Sequence, residues 1–184
     1  MGRKCVVKSI KKNVAEVFLN TYHIQGFASS TVYLGAFYGD KLIAVMTFKV
    51  ENKKSHKWEL NRFASDYHYI CQGVGGKLFK WFIKNYNPSE IKSFADRRWT
   101  LDKENNLYMK LGFNMIDILK PNYHYYNNKI DKCNRFHKFG FRKKILHKKY
   151  GFPLTMTEDE MTKELGYSRI WDCGLFKFVW KREE

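Results

Sequence analysis

The sequence predicts an α/β (α+β) domain: a mixed central sheet of about six to seven strands with flanking helices and a basic C-terminal extension. Three observations carry this. Short β-rich runs alternate with amphipathic helical runs along most of the chain. Gly39 and Asp40 stand between "TVYLGAFY" and "KLIAVMTFKV", two apolar, β-branched and aromatic runs, which is the pattern of a hairpin. The stretch "YICQGVGGKLFKWFIKNY", residues 69–86, sets three glycines around a valine just before a run with helical spacing. At 184 residues and 44% hydrophobic content the chain can bury a substantial core.

Taken in order, "KCVVKSI" opens as a strand, and "KKNVAEVFLNTYHIQGF" follows as a helix with Val14, Val17, Phe18 and Tyr22 on one face, ending near Gly26. The hairpin comes next. In the strand "HKWELNRFAS", strict alternation puts Trp58, Leu60 and Arg62 on one face and Glu59, Asn61 and Phe63 on the other. After the glycines, Leu78, Phe79, Phe82 and Ile83 form an apolar helical face that Pro88 terminates. "EIKSFAD" reads as a strand and "NNLYMKLGF" as a helix closed at Gly112. "NMIDILKPNYHYYN" supplies two strands with Pro121-Asn122 between them. Thr157-x-x-Glu160 is a capping box opening a helix that Gly166 stops, and "RIWDCGLFKFVW" closes the chain as strand or hairpin.

The formal charge is +16, from 34 Lys and Arg against 18 Asp and Glu, which points to a polyanionic partner, foremost nucleic acid. A lysine-rich composition inherited from an AT-rich genome is the alternative. The most basic stretch spans residues 129–150, with nine Lys or Arg against one acid, interleaved with aromatics. Arg135, Lys138, Arg142, Lys143 and Lys144 within it are candidates to track a nucleic-acid backbone, against the alternative of a solvated basic helix. On this shift of composition we expect a core over residues 1–128 and an extension over 129–184. Cys5, Cys71, Cys133 and Cys173 form no CxxC pair, which fits reduced thiols in an intracellular protein. Cys133, His137 and His147 lack the further ligands a metal site needs, so no metal is expected. No apolar run reaches the roughly 20 residues that span a bilayer, and no membrane partner is expected.

Unpaired N–H groups at a helix start carry the positive end of its dipole, so Gly73, Val74, Gly75, Gly76 and Lys77 are placed to hold a pyrophosphate. A purely structural turn reads the same way. Neither GxxxxGK[ST] nor GxGxxG is present. The later "NNLYMKLGFN" decides more. Together with "QGVGGKLF" it resembles the GNAT acyltransferase superfamily, in which R/Q-x-x-G-x-G/A precedes a helix holding the coenzyme A pyrophosphate and a later Leu-Tyr-x-x-x-Gly-Phe helix lies against the pantetheine arm. Gly73 and Gly75 match the small positions, Leu78 the apolar one, and Leu107, Tyr108, Gly112 and Phe113 the second motif. Ile70 stands where the family has Arg or Gln, with Gln72 two residues later. More narrowly, "WELNRFAS", "FADRRW", "KPNYHYY" and "ELGYSRIWDCG" look like a bacteriophage GNAT-like domain found alone or joined to homing endonucleases, related in pattern to Mom-type DNA-modification acyltransferases. The resemblance covers nearly the whole chain.

The resemblance implies a GNAT fold and acetyl-CoA or coenzyme A as cofactor. It assigns Tyr108 as the acid that protonates the departing thiolate, with Glu59 or Asp96 as the base. Both carboxylates could instead pair with Arg62, Arg97 or Arg98. It also implies that the amides of Phe63, Ala64 and Ser65 polarise the thioester, and that Gln72 and Asn106 contact the cofactor. Arg97, Arg98 and Trp99, a cation-cation-aromatic cluster beside the implied cleft, suit a phosphate and a stacked base. Cys71 has no base beside it in sequence and is not read as a nucleophile. The implied activity is acyl transfer to a DNA base amine by a phage protein in the host cytoplasm. The alternatives are a non-catalytic DNA-binding module assisting a nuclease and a protein N-acetyltransferase acting on a host factor.

Overall fold

The computed structural model describes residues 2–100 and 102–182; the side chains of Arg3, Asp131, Lys132 and Cys133 lie outside the description. A 310 turn at Gly2–Lys4 leads into β1 (Val6–Ser9), α1 (Lys12–Tyr22), β2 (Val32–Tyr38), β3 (Lys41–Asn52) and β4 (Lys57–Ser65). Then come α2 (Val74–Tyr86), β5 (Glu90–Asp96), the single turn α3 (Leu107–Lys110), β6 (Asn114–Leu119), β7 (Tyr123–Asn127) and β8 (Asp131–His137). A second 310 turn (Lys138–Phe141), α4 (Lys143–Tyr150), α5 (Glu158–Glu164), β9 (Ser168–Trp171) and β10 (Leu175–Lys181) complete the chain.

Seven strands form one sheet in the order β1-β2-β3-β4-β5-β10-β6. β1 to β4 pair antiparallel, whereas β4 and β5 run parallel, so the sheet is mixed as expected. The parallel pairing is short: it joins Lys57, Glu59 and their neighbour to Glu90 through Lys92 and goes no further. Beyond it the two strands have no common ladder, which leaves a gap in the middle of the sheet.

One face of the sheet buries α2, whose Leu78, Phe79 and Phe82 pack with Phe48, Leu60, Ile91, Phe113 and Phe178. Phe48 and Phe82 stack at 3.5 Å between centroids. α1 covers the other face with Ala15, Phe18 and Leu19 against Val45 and Ala64. This differs from the expected helix face, since Val14 and Val17 are 40% and 69% exposed. The valines and the Ala15-Phe18-Leu19 stripe lie about a third of a turn apart at 100° per residue, and the sheet selects the stripe that includes the larger Leu19.

The alternation expected along β4 also breaks. Thr47 pairs with Arg62 and Phe48 with Leu60, so Asn61 is an extra residue, a β-bulge. The bulge flips the phase of the strand. Trp58, Leu60 and Phe63 therefore share the α2 face, and Ala64 turns to α1.

Two compact units emerge. One runs to Ile118 and resumes at Phe176; the other is Leu119–Leu175. The boundary expected at 128/129 falls in the turn between β7 and β8, inside the second unit, because these strands pair with one another. The closing strand β10 belongs to the seven-stranded sheet. The second unit has its own three-stranded sheet, β8-β7-β9, and its own core of Tyr125, Phe141, Leu146 and Met161. Its α5 starts on the expected capping box, with Thr157 and Glu160 exchanging hydrogen bonds.

Candidate functional site

Gly73 caps α2 at φ 80°, a left-handed conformation that suits glycine, and makes no side-chain cap. A Cβ there would meet nothing within 4 Å, and neither would one at Gly76. Gly75 is different: its Cβ would stand 3.3 Å from both Phe63 and Leu107, so the missing side chain lets α2, β4 and α3 close together. The turn opens onto a groove of about 990 Å3 lined by Gly2, Lys4, Tyr38, Gln72, Gly73, Gly76, Lys77 and Lys80. Three lysines and a helix N-terminus without an acidic residue in its first turn line one space. That is an environment for a polyphosphate.

The N-terminal 310 turn completes this groove. Gly2 is buried, and a Cβ on it would lie 2.2 Å from the carbonyl oxygen of Gln72 and 3.0 Å from the amide nitrogen of Val74. Lys77 turns its ammonium to the carbonyl of Cys5. Lys4, Tyr38 and Lys80 are additions to the residues read from the sequence. Lys80 lies one turn beyond Lys77 on the same helix, a spacing signal that could have found it. Lys4 and Tyr38 are brought in by strand pairing, which leaves no local trace.

The second half of the site is the gap between β4 and β5. Asn106 caps α3, accepting from the amide of Met109 at 3.1 Å while its own amide group donates to the carbonyls of Asp102 and Lys103. This fixes Tyr108 within the single turn of α3. The phenol ring stacks on Phe178 and meets Phe113 edge-on. Burial pushes the phenol pKa up, against the smaller opposing effects of Ser93 and the Arg62 charge, so the hydroxyl stays protonated. Ser93 is itself buried and donates to the carbonyl of Leu60 at 2.8 Å, bridging the two strands where the ladder has ended.

Arg62, next to the bulge, donates from Nε to the carbonyl of Gly26 and from a terminal nitrogen to that of Asn61. Asn61 in turn donates to the carbonyl of Ser29 and to Ser30 Oγ. The bulge thereby anchors the loop after α1 beside the gap. Burial and then Arg62 lower the pKa of His23, in that loop, to about 4, so its imidazole is neutral. Neither Arg62 nor His23 was read as a site residue, because only the bulge brings them together.

Glu59 lies 3.8 Å from Lys92, which also pairs with Glu51. Asp96 accepts from the Arg98 guanidinium at 2.8 Å and from the Arg98 amide at 2.9 Å, so it closes the turn after β5. Arg97 lies 5.5 Å above the Phe176 ring, and Trp99 is 61% exposed. In the second unit, Arg135 is exposed, Lys138 bonds Asn122 Oδ1, Arg142 stacks on Phe139 at 4.1 Å, and Lys143 and Lys144 begin α4. Burial pushes the Cys71 thiol up, away from nucleophilic use. Among the described residues no group of three metal-ligating side chains occurs, with Cys133 outside them, and no helix is long and apolar enough to cross a membrane.

No family model matches the chain, and no curated protein matches it. Solved structures do. A GNAT family acetyltransferase from Elizabethkingia anophelis, crystallised with acetyl-CoA bound, matches with TM-score 0.55 at 15% identity over 97% of this chain and 99% of that one. An acetyltransferase from Bacillus subtilis in complex with CoA gives 0.56 at 12% identity over 98% and 100%. The ribosomal-protein-S18-alanine N-acetyltransferase of Escherichia coli gives 0.58 at 14% identity over 98% and 95%. Seven strands in mixed order, a gap between β4 and β5, and a glycine turn opening α2 thus make up a fold that this chain shares with the GNAT acetyltransferases.

Proposed function

We propose that this chain is a coenzyme A-dependent acyltransferase whose acceptor is an amine on a nucleic-acid base, in DNA. The observation that carries the reading is the Tyr108 ring, stacked on Phe178 with its hydroxyl kept protonated by burial, in the same unit as a three-lysine groove at the start of α2. The residues fit the cofactor. Lys4, Lys77, Lys80 and the α2 amides would hold its phosphates, and the gap would take its thioester arm.

When bound, the acyl thioester supplies an electrophilic carbonyl and a thiolate leaving group. Of Phe63, Ala64 and Ser65, alternation along β4 turns the Ala64 amide toward Val45 of β3, whereas the Phe63 and Ser65 amides point away from β3, have no β5 ladder partner and can donate to the carbonyl oxygen. Tyr108 donates its proton at the sulfur. Glu59 serves as base for the acceptor amine through water, in preference to Asp96, which is committed to Arg98.

The nucleic-acid acceptor is supported by the +16 charge and by Lys143 and Lys144 in the first turn of α4, where the helix dipole disfavours cations and helix stability gives no reason to keep them. The likeness of "FADRRW" and "ELGYSRIWDCG" to phage and Mom-type proteins supports the DNA assignment. A second reading, a DNA-binding module without catalysis, is favoured by Ile70, 85% exposed at the motif position of the family's Arg or Gln.

Calorimetric titration with acetyl-CoA and with coenzyme A separates the two. Micromolar binding, followed by transfer of labelled acetyl groups to DNA, is the expected result. A folded sample that binds neither sinks the transferase and leaves the module.

A further inference from the structure

Outside the transferase site, the second unit carries aromatic and basic side chains at the margin of its core, where Tyr123 packs against the core and Trp171 stands beyond it. β8, β7 and β9 pair in a register that sets Tyr123 opposite Trp171, and Tyr125 between Phe136 and Arg169. Tyr125 and Phe136 go into the core. Tyr123 and Trp171 stand on the same face two residues further along, at the end of the sheet. Their rings are 5.0 Å apart, and Trp171 is 58% exposed on the edge strand.

Two cations attend this pair. The Arg169 guanidinium lies 4.9 Å from the Tyr123 ring, and the Lys138 ammonium lies 5.4 Å from it. Both are tethered, Arg169 by Asp159 at 3.2 Å and by the Tyr125 hydroxyl at 3.3 Å, and Lys138 by Asn122 at 2.8 Å. An exposed indole beside two ordered cations offers a π face and positive charge together, which is complementary to a flat base and its phosphates.

We propose that Tyr123 and Trp171, flanked by Lys138 and Arg169, form a stacking site for an unpaired nucleic-acid base, with the two cations meeting the adjacent phosphates. The partner is therefore single-stranded nucleic acid. This rests on the nucleic-acid part of the proposed function and not on its acyl-transfer part. An aromatic face binds bases without sequence preference, and strand spacing of about 4.8 Å lets neighbouring rings serve one base or two consecutive ones. Stacking needs the base free of its partner. A duplex can contact the basic residues of the second unit, but it cannot offer a base face to Trp171.

The test compares the full chain with Trp171→Ala and Trp171→Phe by fluorescence anisotropy, on a short oligothymidine, on the same backbone with abasic sites, and on a duplex of equal length. Trp171 is exposed, so both variants should keep the wild-type melting temperature. Trp171→Ala should lose about tenfold in affinity for oligothymidine and Trp171→Phe much less, while abasic and duplex affinities stay within about twofold. Unchanged oligothymidine affinity in Trp171→Ala, or an equal loss on duplex and abasic strands, overturns the stacking site while leaving nucleic-acid binding in place. A wild type that binds none of the three probes overturns both. Neither result bears on the calorimetric test of the transferase.

Discussion

The ring of Tyr108 lies nearly parallel to that of Phe178, with centroids 4.7 Å apart and planes inclined by 13°. Phe178 comes from β10, the last strand, and Tyr108 from α3, so the candidate acid is oriented by a residue seventy positions away in the chain. The stack orients the ring, and the hydroxyl carries the proton. These two roles can be separated by mutation.

Tyr108→Phe keeps the stack and removes only the proton. We expect the fold and the coenzyme A affinity to be retained and kcat to fall by about 100-fold. Stopped assays with acetyl-CoA, paired with calorimetry, check both. A variant with wild-type kcat would remove Tyr108 from the chemistry. Phe178→Ala should behave differently, costing about 3 to 5 kcal/mol of stability because it empties a fully buried site.

At the glycine turn, Gly76 is the informative position. Its Cβ would meet nothing within 4 Å, and it lines the lysine groove. Gly76→Glu places a carboxylate in the first turn of α2, where the helix dipole favours it, yet opposes any bound phosphate. The expected outcome is an unchanged or raised melting temperature with coenzyme A binding lost by calorimetry. Gly75→Glu, by contrast, should destabilise the protein, since the new side chain collides with Phe63 and Leu107. Retained affinity in Gly76→Glu would move the phosphates elsewhere.

Much of this was legible from local signals. The Gly39-Asp40 hairpin, the Thr157 capping box and the glycine turn each depend on residues a few positions apart, and sequence shows such patterns directly. The α1 face and the β4 alternation misread for one reason: periodicity assumes an unbroken phase, and tertiary packing and the Asn61 bulge set the phase here. Non-local pairing hid the rest. β10 enters between β5 and β6, so nothing near residue 178 announces that it will meet Tyr108. Lys4 and Tyr38 reach the groove, and Arg62 reaches His23, through the same kind of long-range placement.

His23 makes stability depend on pH. Burial and Arg62 lower its folded pKa to about 4, against about 6.5 in an unfolded chain. Between these values the unfolded state binds the proton and the folded state does not. The contribution is therefore complete above about pH 6.5 and is lost as pH falls toward 4. With allowance for partial exposure, the loss between about pH 7.5 and pH 5 is on the order of 1 to 2 kcal/mol. His23→Asn keeps an acceptor for the Gln25 amide, which His23 Nδ1 binds at 3.0 Å, without the titration. Urea midpoints at the two pH values should converge in the variant. An identical pH dependence in variant and wild type would show that His23 is not the group responsible.

Lys143 and Lys144 offer a test in which stability and binding should move in opposite directions. Both occupy the first turn of α4, where a positive charge opposes the dipole, and α4 has no side-chain cap to offset this. Replacing both with Glu should leave the melting temperature equal or higher. If the helix lies against a nucleic-acid backbone, the same double variant loses phosphate contacts, so affinity falls for every sequence alike. The slope of log affinity against log salt should flatten by about 0.7 to 0.9 per lost contact. Anisotropy titrations at several salt concentrations measure that slope. A variant that is more stable and binds DNA with the wild-type slope would remove α4 from the interface and return the basic charge to the role of a solvated surface.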